Sequence, residues 1–95
     1  MSVYIVAQIS IRDRATYAKY ASGFREIFAA HGGRILSVDE EPQILEGGWP
    51  YTRTVLLEFP SGDQALSWYN SREYQELAQH RHAASDANVV LIQGR

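Results

Sequence analysis

The sequence contains no cysteine. That excludes disulfide scaffolds, thiolate metal sites and cysteine nucleophiles. It has almost no lysine: Lys19 stands alone beside eight arginines. It also lacks a positive excess, with 9 basic and 11 acidic residues giving a net charge of −2. Nothing in that balance draws nucleic acid or an anionic membrane. No run approaches the ~20 apolar residues of a membrane helix. No HxxxH, GxSxG, P-loop or dinucleotide fingerprint occurs. The expectation is therefore a protein without metal or cofactor, with no nucleic-acid or membrane partner.

What is present suits a globular protein. The apolar share is 45% over 95 residues, enough for one domain spanning residues 1–95. Met1-Ser2-Val3-Tyr4-Ile5 has no basic leader before its apolar residues and reads as a strand, not a signal peptide. A cytoplasmic protein is expected.

Val3, Ile5, Ala7, Ile9 and Ile11 alternate with Tyr4, Val6, Gln8 and Ser10. Period two over nine residues marks a strand. The period changes after Asp13, a good helix N-cap. Tyr17, Tyr20, Ala21, Phe24, Ile27 and Phe28 then recur at helical steps. This helix should run from about Arg14 to Ala30 and end at His31-Gly32-Gly33.

Ile35, Leu36 and Val38 form a short strand, broken at Asp39-Glu40-Glu41-Pro42 and expected to resume at Gln43-Ile44-Leu45-Glu46. Gly47-Gly48-Trp49-Pro50 is a turn. Arg53 to Phe59 alternates again and is stopped by Pro60. Ser61 and Gln64 fit a capping box for a helix carrying Ala65, Leu66, Trp68 and Tyr69. Asn70-Ser71 interrupts it, and Ser71 caps a second segment with Tyr74, Leu77, Ala78 and Arg81. Asn88 to Ile92 is expected to be a short buried strand.

The order is β-α-β-β-α-β. Right-handed crossovers then give an α+β, ferredoxin-like fold: one four-stranded antiparallel sheet with the helices on one face. The first and third strands should be its central pair. The face away from the helices carries Tyr4, Val6, Leu56 and Val90 or Ile92, which is too apolar for open water. A homodimer through that sheet face is expected.

Several stretches resemble one family. These are Leu45-Glu46-Gly47-Gly48-Trp49-Pro50, Arg53, Leu57-Glu58-Phe59-Pro60-Ser61, and Ala65 to Gln75 with Arg81 beyond it. The Asp13, Tyr17 and Tyr20 helix start and His31-Gly32-Gly33-Arg34 fit as well. Together they are similar to the domain-of-unknown-function family 1330 over nearly the whole chain. Arg72 departs from the proline expected there. The resemblance implies a dimeric α/β barrel, similar in fold to small antibiotic-oxidising monooxygenases, muconolactone isomerase and related enzymes. It implies no established activity.

Candidate site residues each carry two readings. Glu58, on the mixed face of a central strand, is either a general acid or base with a raised pKa or the partner of Arg53, Arg34 or an arginine of a second copy. His31 is either a proton carrier or a cation on a helix C-terminus. Arg81 shares a helical face with Tyr74; it either binds a carboxylate or enolate or makes a structural ion pair. Trp68, Tyr69 and Tyr74 either line an aromatic ligand site or fill the core. Arg53 is a second candidate anion holder. His80 and His82 lie two apart and cannot form a helical metal pair. Three function classes follow: a cofactor-independent small-molecule enzyme acting on a small anionic or aromatic ligand, a ligand-binding module without chemistry, and a structural dimer.

Overall fold

The computed structural model describes residues 1–95. Strand β1 (Val3–Ile11) turns Val3, Ile5, Ala7 and Ile9 into the interior and leaves the intervening side chains half-exposed, as its alternation dictates. Helix α1 (Arg14–Ala30) starts where the Asp13 carboxylate accepts from the Thr16 amide at 3.1 Å and from the Thr16 hydroxyl at 2.7 Å. Gly32 follows its end with φ of +81°, a left-handed conformation that glycine adopts without a side-chain clash. Strands β2 (Arg34–Asp39) and β3 (Arg53–Phe59) pair antiparallel. The interrupted second helix is two segments, α2 (Gly62–Tyr69) and α3 (Arg72–Ala84), each capped as expected by Ser61 and Ser71. Strand β4 (Ser85–Gln93) closes the chain.

The sheet order is β2-β3-β1-β4, every neighbouring pair antiparallel. The fold is α+β and ferredoxin-like, with β1 and β3 central as predicted. The helices cover the face bearing Ile5, Ala7, Leu57 and Phe59, where Phe28 and Trp68 complete the core. The rings of Phe28, Phe59 and Trp68 have centroids 5.0–5.5 Å apart. No helix is long and apolar enough to cross a membrane.

Two expectations are corrected. Gln43 to Glu46 does not resume a strand. The Asp39 carboxylate accepts from the Glu41 amide at 2.8 Å, turning the chain away from the ladder. Ile44 and Leu45 are consequently exposed, Leu45 at 87%. The chain returns through Trp49, whose indole N–H donates to Thr54 Oγ1 at 2.9 Å, and Tyr51, whose hydroxyl accepts from Asn88 at 3.2 Å. The second correction concerns the last strand. It spans nine residues rather than five and lies at the end of the sheet order, with Val89, Val90 and Ile92 exposed within the single chain. Its start is fixed because the Arg12 and Asp13 amides both donate to the Ala84 carbonyl, at 2.8 and 3.1 Å.

The Asp13 cap makes one stability prediction. The two bonds from Thr16 hold the Asp13 carboxyl below the usual carboxylate range. A folded-state value below the unfolded one contributes stability above about pH 4 that is lost as pH falls through the folded value. Asp13→Asn is expected to flatten that part of the acid-unfolding profile. Thermal melts of both proteins from pH 6 down to pH 2.5 check it; parallel profiles would remove the cap's role.

Candidate functional site

A cavity of about 140 Å³ lies between the sheet and the helical layer. Its floor is the inward face of the central strands, with Ile5, Ala7, Ile9, Val55 and Leu57. Its walls are aromatic: Tyr17, Tyr20 and Phe24 from α1, Trp68 from α2 and Tyr74 from α3. The helical spacing that packs these rings against each other also leaves the gap between α1 and the strands. It opens beside exposed Ala21, Arg25 and Val38.

Three arginines line this apolar space, Arg25 at its exposed mouth and Arg53 and Arg81 further in. Arg81 is 5% exposed. No carboxylate lies within salt-bridge distance of it, although all five ion pairs elsewhere join an arginine to an acid. Its guanidinium carbon sits 5.7 Å from the Tyr20 ring centroid, and Nη2 lies 3.5 Å from His82 Nε2. Burial pulls the Arg81 pKa down, but the tyrosine oxygens of Tyr74, Tyr20 and Tyr69 outweigh it, so the net direction is up. Arg81 is thus a permanent buried cation held by rings and hydroxyls. Arg53, at the first residue of β3, stacks over Tyr17 with its guanidinium carbon 5.6 Å from the ring centroid.

Between them lie phenol hydroxyls. The Tyr20 and Tyr74 hydroxyls share a hydrogen bond of 2.8 Å. Burial, then the neighbouring Tyr74 and the hydrogen bond to it, push the Tyr20 pKa far up. Burial also raises Tyr17, against the pull of Arg53 and Arg81. Tyr17 and Tyr20 are therefore protonated donors at neutral pH, not bases. The Trp68 indole N–H is buried and has no hydrogen-bond partner. An orphaned buried donor costs about 1–3 kcal/mol, which a ligand acceptor would relieve.

The fold thus brings Arg53, Trp68, Tyr74 and Arg81 to one cavity and leaves three other candidates outside it. Glu58 points to the opposite face of the sheet, where alternation puts it beside Leu56 and opposite Tyr4. Its carboxylate is 22% exposed and lies 3.5 Å from Arg34 Nη2. His31 caps α1, its Nδ1 donating to the Ile27 carbonyl at 2.9 Å, and does not line the cavity. Tyr69 borders a separate apolar hollow between α2 and β4, with Leu66, Val89 and Leu91. Sequence reasoning missed Tyr17 and Tyr20, whose helical spacing looks like plain core. The available signal was that a buried tyrosine hydroxyl must find a partner.

The chain matches the family described as domain of unknown function DUF1330 over residues 2–95.

The chain belongs to the DUF1330 family.

No curated protein matches it. Among solved structures it is similar to a protein of unknown function from Rhodopseudomonas palustris, at 18% identity and a TM-score of 0.84, covering 99% of this chain and 82% of that one. It is also similar to a dimeric ferredoxin-like protein of unknown function from Thermobifida fusca, at 11% identity and a TM-score of 0.72, over 99% and 92% of the two chains. SnoaB from Streptomyces nogalater, a cofactor-independent oxygenase, is similar at 14% identity and a TM-score of 0.70, over 99% and 93%. At these identities the likenesses establish the ferredoxin-like fold of the DUF1330 chain.

Proposed function

We propose that this DUF1330 protein holds a compact, planar organic anion between its sheet and helices, and acts on it as a cofactor-independent enzyme of isomerase or monooxygenase kind. The observation that carries this reading is Arg81, a buried cation with no carboxylate, facing an aromatic-walled cavity. An unpaired buried charge is costly, and an anionic ligand supplies the missing partner. A volume of about 140 Å³ suits a single ring, since a cavity of about 150 Å³ admits benzene.

The residues divide the work. Arg81 and Arg53 stabilise a carboxylate, enolate or phenolate. Trp68 and Tyr74, whose own rings touch at 4.2 Å between centroids, form an aromatic wall for the ligand ring, and the Trp68 N–H meets an acceptor on it. The Tyr20–Tyr74 hydroxyl pair donates a hydrogen bond to an oxygen of the substrate. Electrostatic stabilisation of that oxygen is the chemistry such a site performs best. The likeness in fold to SnoaB, named a cofactor-independent oxygenase, supports this reading.

A second reading, a binding module without turnover, is favoured by one observation: no carboxylate or histidine lines the cavity. A single experiment separates the two. The protein is titrated with benzoate by NMR and then incubated in deuterium oxide with an enolisable aromatic keto acid. Benzoate-dependent shifts at Trp68 and Tyr74 with accelerated exchange at the α-carbon support the enzyme. Shifts without exchange support the module, and no shifts at these residues overturn both.

The sheet's outer face carries a proposal of its own. Val6 stands in register between Leu56 and Val90, flanked by Tyr4 and by Ile92, itself 47% exposed. In this reading the face joins two copies; that a similar chain is named a dimeric ferredoxin-like protein supports the dimer. Val6→Asp is expected to convert the sedimenting species from dimer to monomer at micromolar concentration. A wild-type monomer, or an undisturbed dimer in the variant, would reject that interface.

A further inference from the structure

Arg53 is not as free as Arg81. Its Nη1 lies 3.9 Å from Oε1 of Glu40, at the edge of ion-pair range. The other oxygen of Glu40 accepts from Arg14 Nη1 at 3.2 Å. Glu40 follows the last residue of β2, on the segment that turns away from the ladder, and its side chain is half-exposed. One carboxylate therefore bridges the start of α1 to a cation lining the cavity.

The position of Arg14 supports a purpose for this bridge. It is the first residue of α1, and that first turn carries no acid. A cation there opposes the helix dipole. The bond to Glu40 offsets that cost and gives the carboxylate a second place to rest.

We infer that Glu40 moderates the anion affinity of the cavity: an anionic ligand must displace it from Arg53, whereas a neutral ligand binds without doing so, and Arg14 retains the carboxylate when it yields. The inference rests on the anion-binding reading of the cavity. Physically, Glu40 at 3.9 Å forms a stretched pair. A ligand oxygen in closer, charge-assisted contact displaces it easily. A neutral carbonyl gains too little from Arg53 to do so. Releasing Glu40 to Arg14 keeps the displaced charge paired, which lowers the cost of the exchange.

The two pairs make opposite predictions. Removing the competitor in Glu40→Gln is expected to tighten benzoate by about two- to fivefold at low ionic strength, the size of one partly exposed ion pair. Removing its alternative partner in Arg14→Gln leaves Glu40 on Arg53 and is expected to weaken benzoate. Benzyl alcohol, of similar size and neutral, is expected to change by less than twofold in both. All affinities come from NMR titrations of the full chain. If Glu40 merely straps the segment in place, Glu40→Gln weakens both probes and the inference fails. If wild type binds benzoate beside Arg81 but Glu40→Gln leaves that affinity unchanged, the role of Glu40 falls alone. If wild type binds neither probe in the cavity, the anion-binding reading falls with it.

Discussion

Arg81→Met is expected to reduce benzoate affinity by about tenfold to a hundredfold while leaving the thermal midpoint level or higher. The loss is the size of one or two charge-assisted hydrogen bonds. The stability side follows from burial. A structural arginine would be matched by an acid, and removing it would strand that acid at a cost of about 3–5 kcal/mol. Arg81 has no such acid within reach. Methionine fills similar volume without a charge to desolvate. It leaves the Tyr20–Tyr74 hydroxyl bond in place. Calorimetry and an NMR titration on the same sample test both halves. A midpoint drop of more than about 5 °C with benzoate binding intact would make Arg81 structural.

Phe28→Ala is expected to be the most destabilising single truncation, at about 3–5 kcal/mol. Phe28 is 2% exposed and stands among Phe24, Phe59 and Trp68 at centroid distances of 5.1, 5.0 and 5.3 Å. Gly33 lies so close to its ring that a side chain there could not fit without moving it. The ring is held from four sides, so its neighbours cannot collapse into the space it leaves. For a domain of this size each kcal/mol lowers the midpoint by roughly 4–8 °C, so a fall of at least about 12 °C is expected. Against a typical total stability of about 5–15 kcal/mol, that leaves the variant close to unfolding. Phe28 also backs Trp68, so benzoate binding should weaken in whatever fraction stays folded. A midpoint fall under about 5 °C would show that the aromatic cluster does not carry the core.

The sequence alone determined the element order, because the switch from period two to helical spacing is local. Val3 to Ile11 could be nothing but a half-buried strand, and Asp13, Ser61 and Ser71 each cap the helix they precede because capping involves only three or four residues. The order and the handedness of crossovers then left β1 and β3 in the centre. The extent of β4 and the fate of Gln43 to Glu46 depended on which backbone groups found partners, and apolar content says nothing of that. Alternation also put Glu58 on the outer face, so the sequence already separated it from the helices. It could not place a cavity on the other side. Tyr17, Tyr20 and Trp68 have the same spacing whether they fill a core or line a hollow. Only the angle at which α1 crosses the strands decides between the two. Arg81 was legible as sharing a helical face with Tyr74. That it lies buried without an acid, while Arg53 shares Glu40 with Arg14, was decided by the tertiary structure alone, because an ion pair between residues 26 apart in the chain leaves no local mark.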